Sequence, residues 1–401
     1  MQNIGSTTSR ISSPNPRLPK WPRITWKHSN PGSQTTSNPN ILGIQPWIYD
    51  FAAYNLWMRP MGLLSCLNML NRAGANVALL DCLSPMWSDV AWNKTRHGRG
   101  HFPKTGIPKP LALQDIPRQY SRYGLPLDAV KQSLIRMYPV PDLVLLTCTM
   151  TYWYPGALSM ASLVKKIWPG MQVVLGGIYA TLCFEHARQQ GVFDLVVQGP
   201  LEDPHNWERL WGLLGTSAPR IPDGMQEDFE QKEFFPAEFS VVLGSRGCPF
   251  SCDYCASKCL YPGFRQRGLE RVWQEVASQL DNNICDFVFY DDALLLNPEN
   301  WLVPLLERLS RLRGPIRLHT PNALHVRYLT PDMCKLLYDA GLRTVRLGLE
   351  SADFGDRPDS KLTREEWDYG LKNLFRAGFK SEQLGAYILF GLPGQDTESI
   401  A

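Results

Sequence analysis

Three cysteines crowd into eight residues of the stretch Gly247-Cys248-Pro249-Phe250-Ser251-Cys252-Asp253-Tyr254-Cys255, a Cys-x3-Cys-x2-Cys spacing. Thiolate is the preferred protein ligand of iron in iron–sulfur clusters, and a 4Fe–4S cube takes one ligand per iron. Three cysteines would therefore leave one iron open to a substrate. Two other readings use the same residues. A zinc site or a fully ligated electron carrier would each draw a fourth thiolate, and Cys259 is in reach. Zinc more usually takes paired Cys-x2-Cys knuckles or cysteines mixed with histidines, and no histidine lies near this loop. The other seven of the ten cysteines are scattered and read as buried structural residues.

Such a loop needs strands and helices to hold it. From Ser240 onward, apolar runs at Ser240–Leu243, Asp286–Tyr290, Ile316–Leu318, Thr344–Leu349 and Ala386–Phe390 alternate with helical stretches near 269–280, 300–313, 331–340 and 363–377. Five βα units in series predict a barrel or part of one, with chemistry in the loops that follow the strands. The cysteine loop follows the first strand. Polar groups close the others: Tyr290-Asp291-Asp292, Glu350-Ser351, and the turn Gly391-Leu392-Pro393-Gly394. Arg265 and Arg267 are either a solvated basic pair or partners for a carboxylate.

Upstream, a second alternation runs from Ile41 to Val197, with buried apolar strands between helices, the pattern of a doubly wound parallel sheet. A polar insertion interrupts it after Leu80. The chain divides into a Ser-, Asn- and Pro-rich tail (1–40) expected to be disordered, a doubly wound domain (41–200), a polar linker (201–238) and the cysteine-bearing half (239–401). The final segment after Gly394 reads as the start of a helix, and the chain as a barrel cut short after five strands. A net charge of +3 gives no reason to propose nucleic acid as a partner, and no apolar run approaches the ~20 residues that span a bilayer.

The cysteine spacing, with Tyr254 before its last cysteine, resembles the radical S-adenosylmethionine (SAM) superfamily. The resemblance implies a 4Fe–4S cluster on Cys248, Cys252 and Cys255, whose open iron chelates the amino and carboxylate groups of SAM. One electron, from an external donor of flavodoxin or ferredoxin type, then releases a 5′-deoxyadenosyl radical. It implies SAM contacts from Tyr254, Asp291, Asp292, Glu350, Gly391 and Gly394. The order of doubly wound sheet, linker and cysteine loop resembles the cobalamin-binding subfamily, and implies a corrinoid lying against Met150, Tyr152, Gly176 and Gly177. One departure stands out. The Asp-x-His-x2-Gly motif, whose histidine ligates cobalt in many cobalamin domains, is missing, and Thr147 to Gly156 is instead apolar and aromatic. The expected activity is methyl transfer to an unactivated carbon of a small or lipid-like substrate in the cytoplasm. Radical rearrangement or cyclisation is the alternative, and a non-catalytic iron–sulfur electron carrier is the rival of another class.

Overall fold

The computed structural model describes residues 24–29, 38–84, 93–94, 100–222, 238–312, 314–355 and 361–391. In the first half, strands β1 (Asn40–Gln45), β2 (Asn76–Asp81), β3 (Leu143–Thr147), β4 (Val173–Gly176) and β5 (Leu195–Val196) form a parallel sheet. Its order is β2-β1-β3-β4-β5. Helices α1 (Met61–Arg72), α2 (Leu127–Ile135), α3 (Tyr154–Ile167), α4 (Ile178–Leu182), α5 (Phe184–Gln189) and α6 (Pro204–Leu213) complete it. Leu64, Leu67 and Leu70 of α1 pack on one face, and Val130, Met160 and Val164 of α2 and α3 on the other. Burial on both faces is why these strands read as unbroken apolar runs. Gly43 lets α1 settle against β1, since a Cβ there would meet Leu67 Cδ1 at 2.7 Å. In this topology the strand order reverses between β1 and β3, and ligands bind in the crevice at the carboxyl ends there.

Two expectations fail in this half. Residues 201–238 are not a plain linker: Trp207, Leu210 and Trp211 bury one face of α6 in the core beside α1, and Asp203 caps the helix by accepting from the His205 and Asn206 amides. Nor is all of 1–40 a free tail. Lys27 bridges Val77 of β2 antiparallel, and Ile24 and Trp26 pack on the core. The polar insertion carries two three-stranded antiparallel sheets built partly from the β1 loop, Ile48–Asp50 with Ser121–Tyr123 and Lys104–Gly106, and Tyr54–Asn55 with Gly100–His101 and Asn93–Lys94. Strands of two or three residues show too little alternation to be read from sequence.

The second half holds the expected five parallel strands, β6 (Ser240–Val242), β7 (Asp286–Phe289), β8 (Arg317–His319), β9 (Leu342–Glu350) and β10 (Leu384–Ile388), in sequential order. After β6 comes the short helix α7 (Ser257–Leu260), then α8 (Leu269–Asp281), α9 (Leu302–Arg311), α10 (Pro331–Asp339) and α11 (Arg364–Ala377). Helices α8 to α11 cover one face through Val272, Leu305, Leu337 and Leu374. Thr330 caps α10, and Thr363 with Glu366 forms a reciprocal capping box on α11. The other face carries Val241 and Val288, and Trp57, from the β1 loop of the first half, packs into it with Phe239. None of the described helices is long and apolar enough to cross a membrane.

Candidate functional site

The cysteine loop is pinned at its base by backbone geometry. Gly244 passes over the Trp301 ring, where a Cβ would come within 2.2 Å of it. A two-residue ladder, Ser245–Arg246 against Arg265–Gln266, then closes the neck. Gly247 has φ +75°, and a Cβ there would lie 2.0 Å from the Gly263 carbonyl, so glycine is required on both counts. All ten cysteines are free thiols, with Cys248 and Cys252 half-buried and Cys255 and Cys259 exposed. The Cys255 amide donates to Cys252 O at 3.0 Å, and Cys255 Sγ to Ser257 Oγ at 3.3 Å. Burial raises the Cys248 thiol above its usual pKa, and Asp292, Cys255 and Cys252 push the same way. Cys248 thus lies within electrostatic reach of the other two thiols and of the Asp292 carboxylate. Among the described residues no group of three His, Cys, Asp or Glu is arranged to hold a single metal ion; a cubic cluster asks instead for thiolates on three separate irons, and the loop supplies them. Elsewhere, burial pushes the Cys66, Cys148 and Cys334 thiols up to about 12, as inert structural cysteines require.

The strand-end residues divide into committed and open groups. Asp291 is buried and committed: its carboxylate accepts from the Gly244 amide at 3.1 Å and from the Ser245 amide and Oγ at 2.5 and 2.6 Å. It ties β7 to the start of the cysteine loop. Glu350, in a left-handed conformation at φ 62°, is ion-paired with Lys361 at 2.9 Å. Arg267 is likewise engaged, with Glu275 and with the Leu243 carbonyl at 2.8 Å, which answers the solvated-pair reading against it. Asp292 differs. It is half-buried, its pKa is raised by burial, and its carboxylate makes no hydrogen bond or ion pair among the described residues. Tyr254 lies half-buried between the last two cysteines, and Gly391 is exposed with φ +84° and open space beside it. Gly394 lies outside the described residues, as does the helix start expected after it.

On the side of the first sheet, the loop after β3 leaves Met150 37% and Tyr152 55% exposed, so these side chains are not core packing. Trp153 Nε1 donates to Asp50 at 2.9 Å and fixes the loop against the β1 loop. A Cβ on Gly176 would meet nothing within 4 Å, whereas one on Gly177 would strike Thr147 Oγ1 at 2.7 Å and Cys148 O at 2.9 Å. The pair therefore serves two purposes: Gly177 closes the protein on itself, and Gly176 leaves an open approach to the sheet edge. His186 is engaged, its Nδ1 2.7 Å from Tyr179 Oη. Helix α4, which the glycine pair launches, packs against α7 of the cysteine loop. The carboxyl edge of the first sheet is thereby brought to the cysteine loop of the second. A cavity of about 510 Å³ lined by Phe51, Tyr54, His101, Lys104 and Arg118 opens on the inserted sheets and contains none of the cysteine-loop residues.

Residues that the sequence reading did not single out also meet here. Trp57 stacks on His319 at 3.9 Å, and Tyr290 Oη donates to the Trp57 carbonyl while accepting from the Arg59 amide at 2.9 Å. His319 is held by Thr344 Oγ1 and Asp286 Oδ1, both at 3.0 Å. His325 is buried and stacks on Phe250 of the cysteine loop at 4.8 Å. A lone aromatic or histidine carries no spacing signal, so none of these was legible without the fold.

Comparison with known proteins agrees with this geometry. A family model described as the radical SAM superfamily matches residues 242–401. An uncharacterised methyltransferase of Pyrococcus horikoshii is 27% identical over 244 residues, 53% of this chain and 52% of that protein. A ribosomal protein uS12 methylthiotransferase of Porphyromonas gingivalis is 25% identical over 55% of this chain and 52% of its own. The chain spans about half the length of the curated relatives it matches. In fold, it is similar to the radical SAM methyltransferase TsrM of Kitasatospora setae, solved with tryptophan and a SAM analogue and also with cobalamin and a [4Fe-4S] cluster. For the first of these the TM-score is 0.61 at 17% identity, over 90% of this chain and 69% of that one. Residues 242–401, which hold the five-stranded sheet and the three-cysteine loop, are thus a match to the radical SAM superfamily.

Proposed function

We propose that this chain reductively cleaves SAM at a 4Fe–4S cluster held by Cys248, Cys252 and Cys255, and uses cobalamin to transfer a methyl group to an unactivated carbon. The observation that carries the proposal is the packing of α4 against α7, which sets the open edge at Gly176, Met150 and Tyr152 beside the cysteine loop. When bound, the cluster supplies an electron to SAM and the corrinoid supplies a methyl carrier. The protein's own part is binding and orientation. The half-buried Asp292 carboxylate faces Cys248 and suits the amino group of SAM. The apolar, exposed Met150 and Tyr152 suit the face of a large flat cofactor, with Gly176 allowing close backbone approach. Methyl transfer is favoured over rearrangement by the named activities of the Pyrococcus relative and of TsrM. The reductant would be an external one-electron protein, and the setting a reducing cytoplasm that keeps the thiols free.

The test is anaerobic purification followed by ultraviolet–visible and electron paramagnetic resonance spectra, then incubation with SAM and dithionite. The expected result is cluster and corrinoid absorption together, with 5′-deoxyadenosine formed. A cluster with no SAM cleavage would hand the case to the electron-carrier reading, and cleavage without corrinoid binding would remove cobalamin.

A further inference from the structure

The cavity on the inserted sheets stands apart from both candidate cofactor edges. It shares no lining residue with the cysteine loop or with Met150, Tyr152, Gly176 and Gly177. Its volume of about 510 Å³ is that of an ordinary small-molecule site. Phe51 and Tyr54 of the β1 loop and Phe102 give it aromatic walls, with the Tyr54 ring 4.7 Å from that of His101. Tyr123, 4% exposed, completes the lining, and its hydroxyl is spent on the Phe51 carbonyl at 3.0 Å. Two cations meet at this tyrosine. Lys104, its cross-strand partner, holds Nζ 5.8 Å from the ring centroid, and Arg118 lies within electrostatic reach of the phenol. Neither the Lys104 ammonium nor the Arg118 guanidinium makes a hydrogen bond or ion pair among the described residues, and no lining residue is acidic. Asp50, which also acts on Tyr123, is already committed to the Phe51 amide at 2.6 Å and to Trp153 Nε1 at 2.9 Å. Exposed cations are ordinarily left to water; here two of them share an aromatic-walled cavity that holds no counter-charge.

We propose that this cavity binds a small aromatic acid, its ring against Phe51, Tyr54 and Phe102 and its carboxylate against Lys104 and Arg118. Phenylalanine and tyrosine rings receive a flat ring edge-on or offset. A guanidinium takes a carboxylate through two parallel N–H donors, and an ammonium adds a compact second charge. The wall is held in place before any ligand arrives: the β1 loop is fixed to the β3 loop through Asp50 and Trp153 and to the second sheet through Trp57. A wall already ordered costs little to present to a ligand. The site is independent of SAM and of corrinoid.

The test uses the full chain with its reconstituted cluster and measures binding of 2-naphthoate by calorimetry. Two controls separate its parts: 2-naphthamide keeps the ring without the charge, and cyclohexanecarboxylate keeps the charge without the aromatic ring. 2-Naphthoate should bind about tenfold more tightly than either. Lys104→Gln and Arg118→Gln change exposed side chains, and circular dichroism should match the parent. Each should weaken 2-naphthoate by about five- to tenfold, the share of one charge-assisted hydrogen bond open to water, and leave 2-naphthamide unchanged. Arg118→Lys should recover part of the loss, and Tyr54→Ala should weaken both ring ligands alike. Failure of the parent to bind 2-naphthoate, or equal affinity for the acid and the amide, would overturn the proposal. So would unchanged affinity in both glutamine variants. Displacement of 2-naphthoate by hydroxocobalamin would assign the cavity to the corrinoid and overturn it too.

Discussion

Replacing Trp57 by alanine probes the seam between the two sheets. The indole is 6% exposed, stacked on His319 at 3.9 Å and edge-on to Phe239 at 5.3 Å, so it packs from the first half onto the face of the second sheet that carries Val241 and Val288. Truncating a buried tryptophan costs about 3–5 kcal/mol. Two contributions cancel in that figure. Trp57 holds φ 62°, and alanine inherits the same left-handed strain. Tyr290 donates to the backbone carbonyl of residue 57, and that bond survives. The loss is therefore packing between the halves. In urea, Trp57→Ala should lose about 3–5 kcal/mol and split one unfolding transition into two, followed by circular dichroism and fluorescence. Trp57→Gly should be more stable than Trp57→Ala by about 1 kcal/mol, because glycine relieves the backbone. A Trp57→Ala protein that unfolds in one transition, within about 1 kcal/mol of the parent, would show that the ring does not anchor the seam.

Each of Cys248→Ala, Cys252→Ala and Cys255→Ala should lose bound iron and SAM cleavage, since each thiolate serves a different iron, while Cys259→Ala should keep both; iron assay and product analysis decide. Asp291→Asn puts an amide N–H against the Gly244 and Ser245 donors, and should cost about 2–4 kcal/mol in denaturant unfolding. Burial raises Asp291 to about 7 despite those donors, so the folded chain holds this proton more tightly than the unfolded one. Its contribution to stability is therefore largest below about pH 4 and is lost as pH rises towards about 7, a slope that Asp291→Asn should lack. Gly177→Ala should destabilise the fold by more than about 1 kcal/mol, given φ +92° and a clash with Thr147. Gly176→Ala should leave stability unchanged within about 0.5 kcal/mol and weaken binding of added hydroxocobalamin.

The elements that bury a whole face were plain in the sequence, and those that bury little were not. The runs at Ile41, Leu143 and Asp286 gave strands within a residue or two, because a strand covered on both sides must be apolar throughout. Helix α6 was hidden by its polar face, although Trp207, Leu210 and Trp211 held the period. The cysteines announced themselves by spacing. Asp291 and Asp292 could not be told apart in sequence, because adjacent strand-end residues point to opposite sides and only the fold shows which carboxylate meets Gly244 and which stays open. His325 carried no pattern at all.

The contact between α4 and α7 has a consequence for how such chains tolerate length changes. A helix advances about 100° per residue, so one residue inserted within Ile178–Leu182 would swing the face of α4 away from the cysteine loop, while four would nearly restore it. Insertions among the inserted sheets, by contrast, leave that angle untouched. Spacing between the two candidate cofactor edges is thus set by a phase, fixed in five residues, and by neither the amount of chain joining the halves nor its composition.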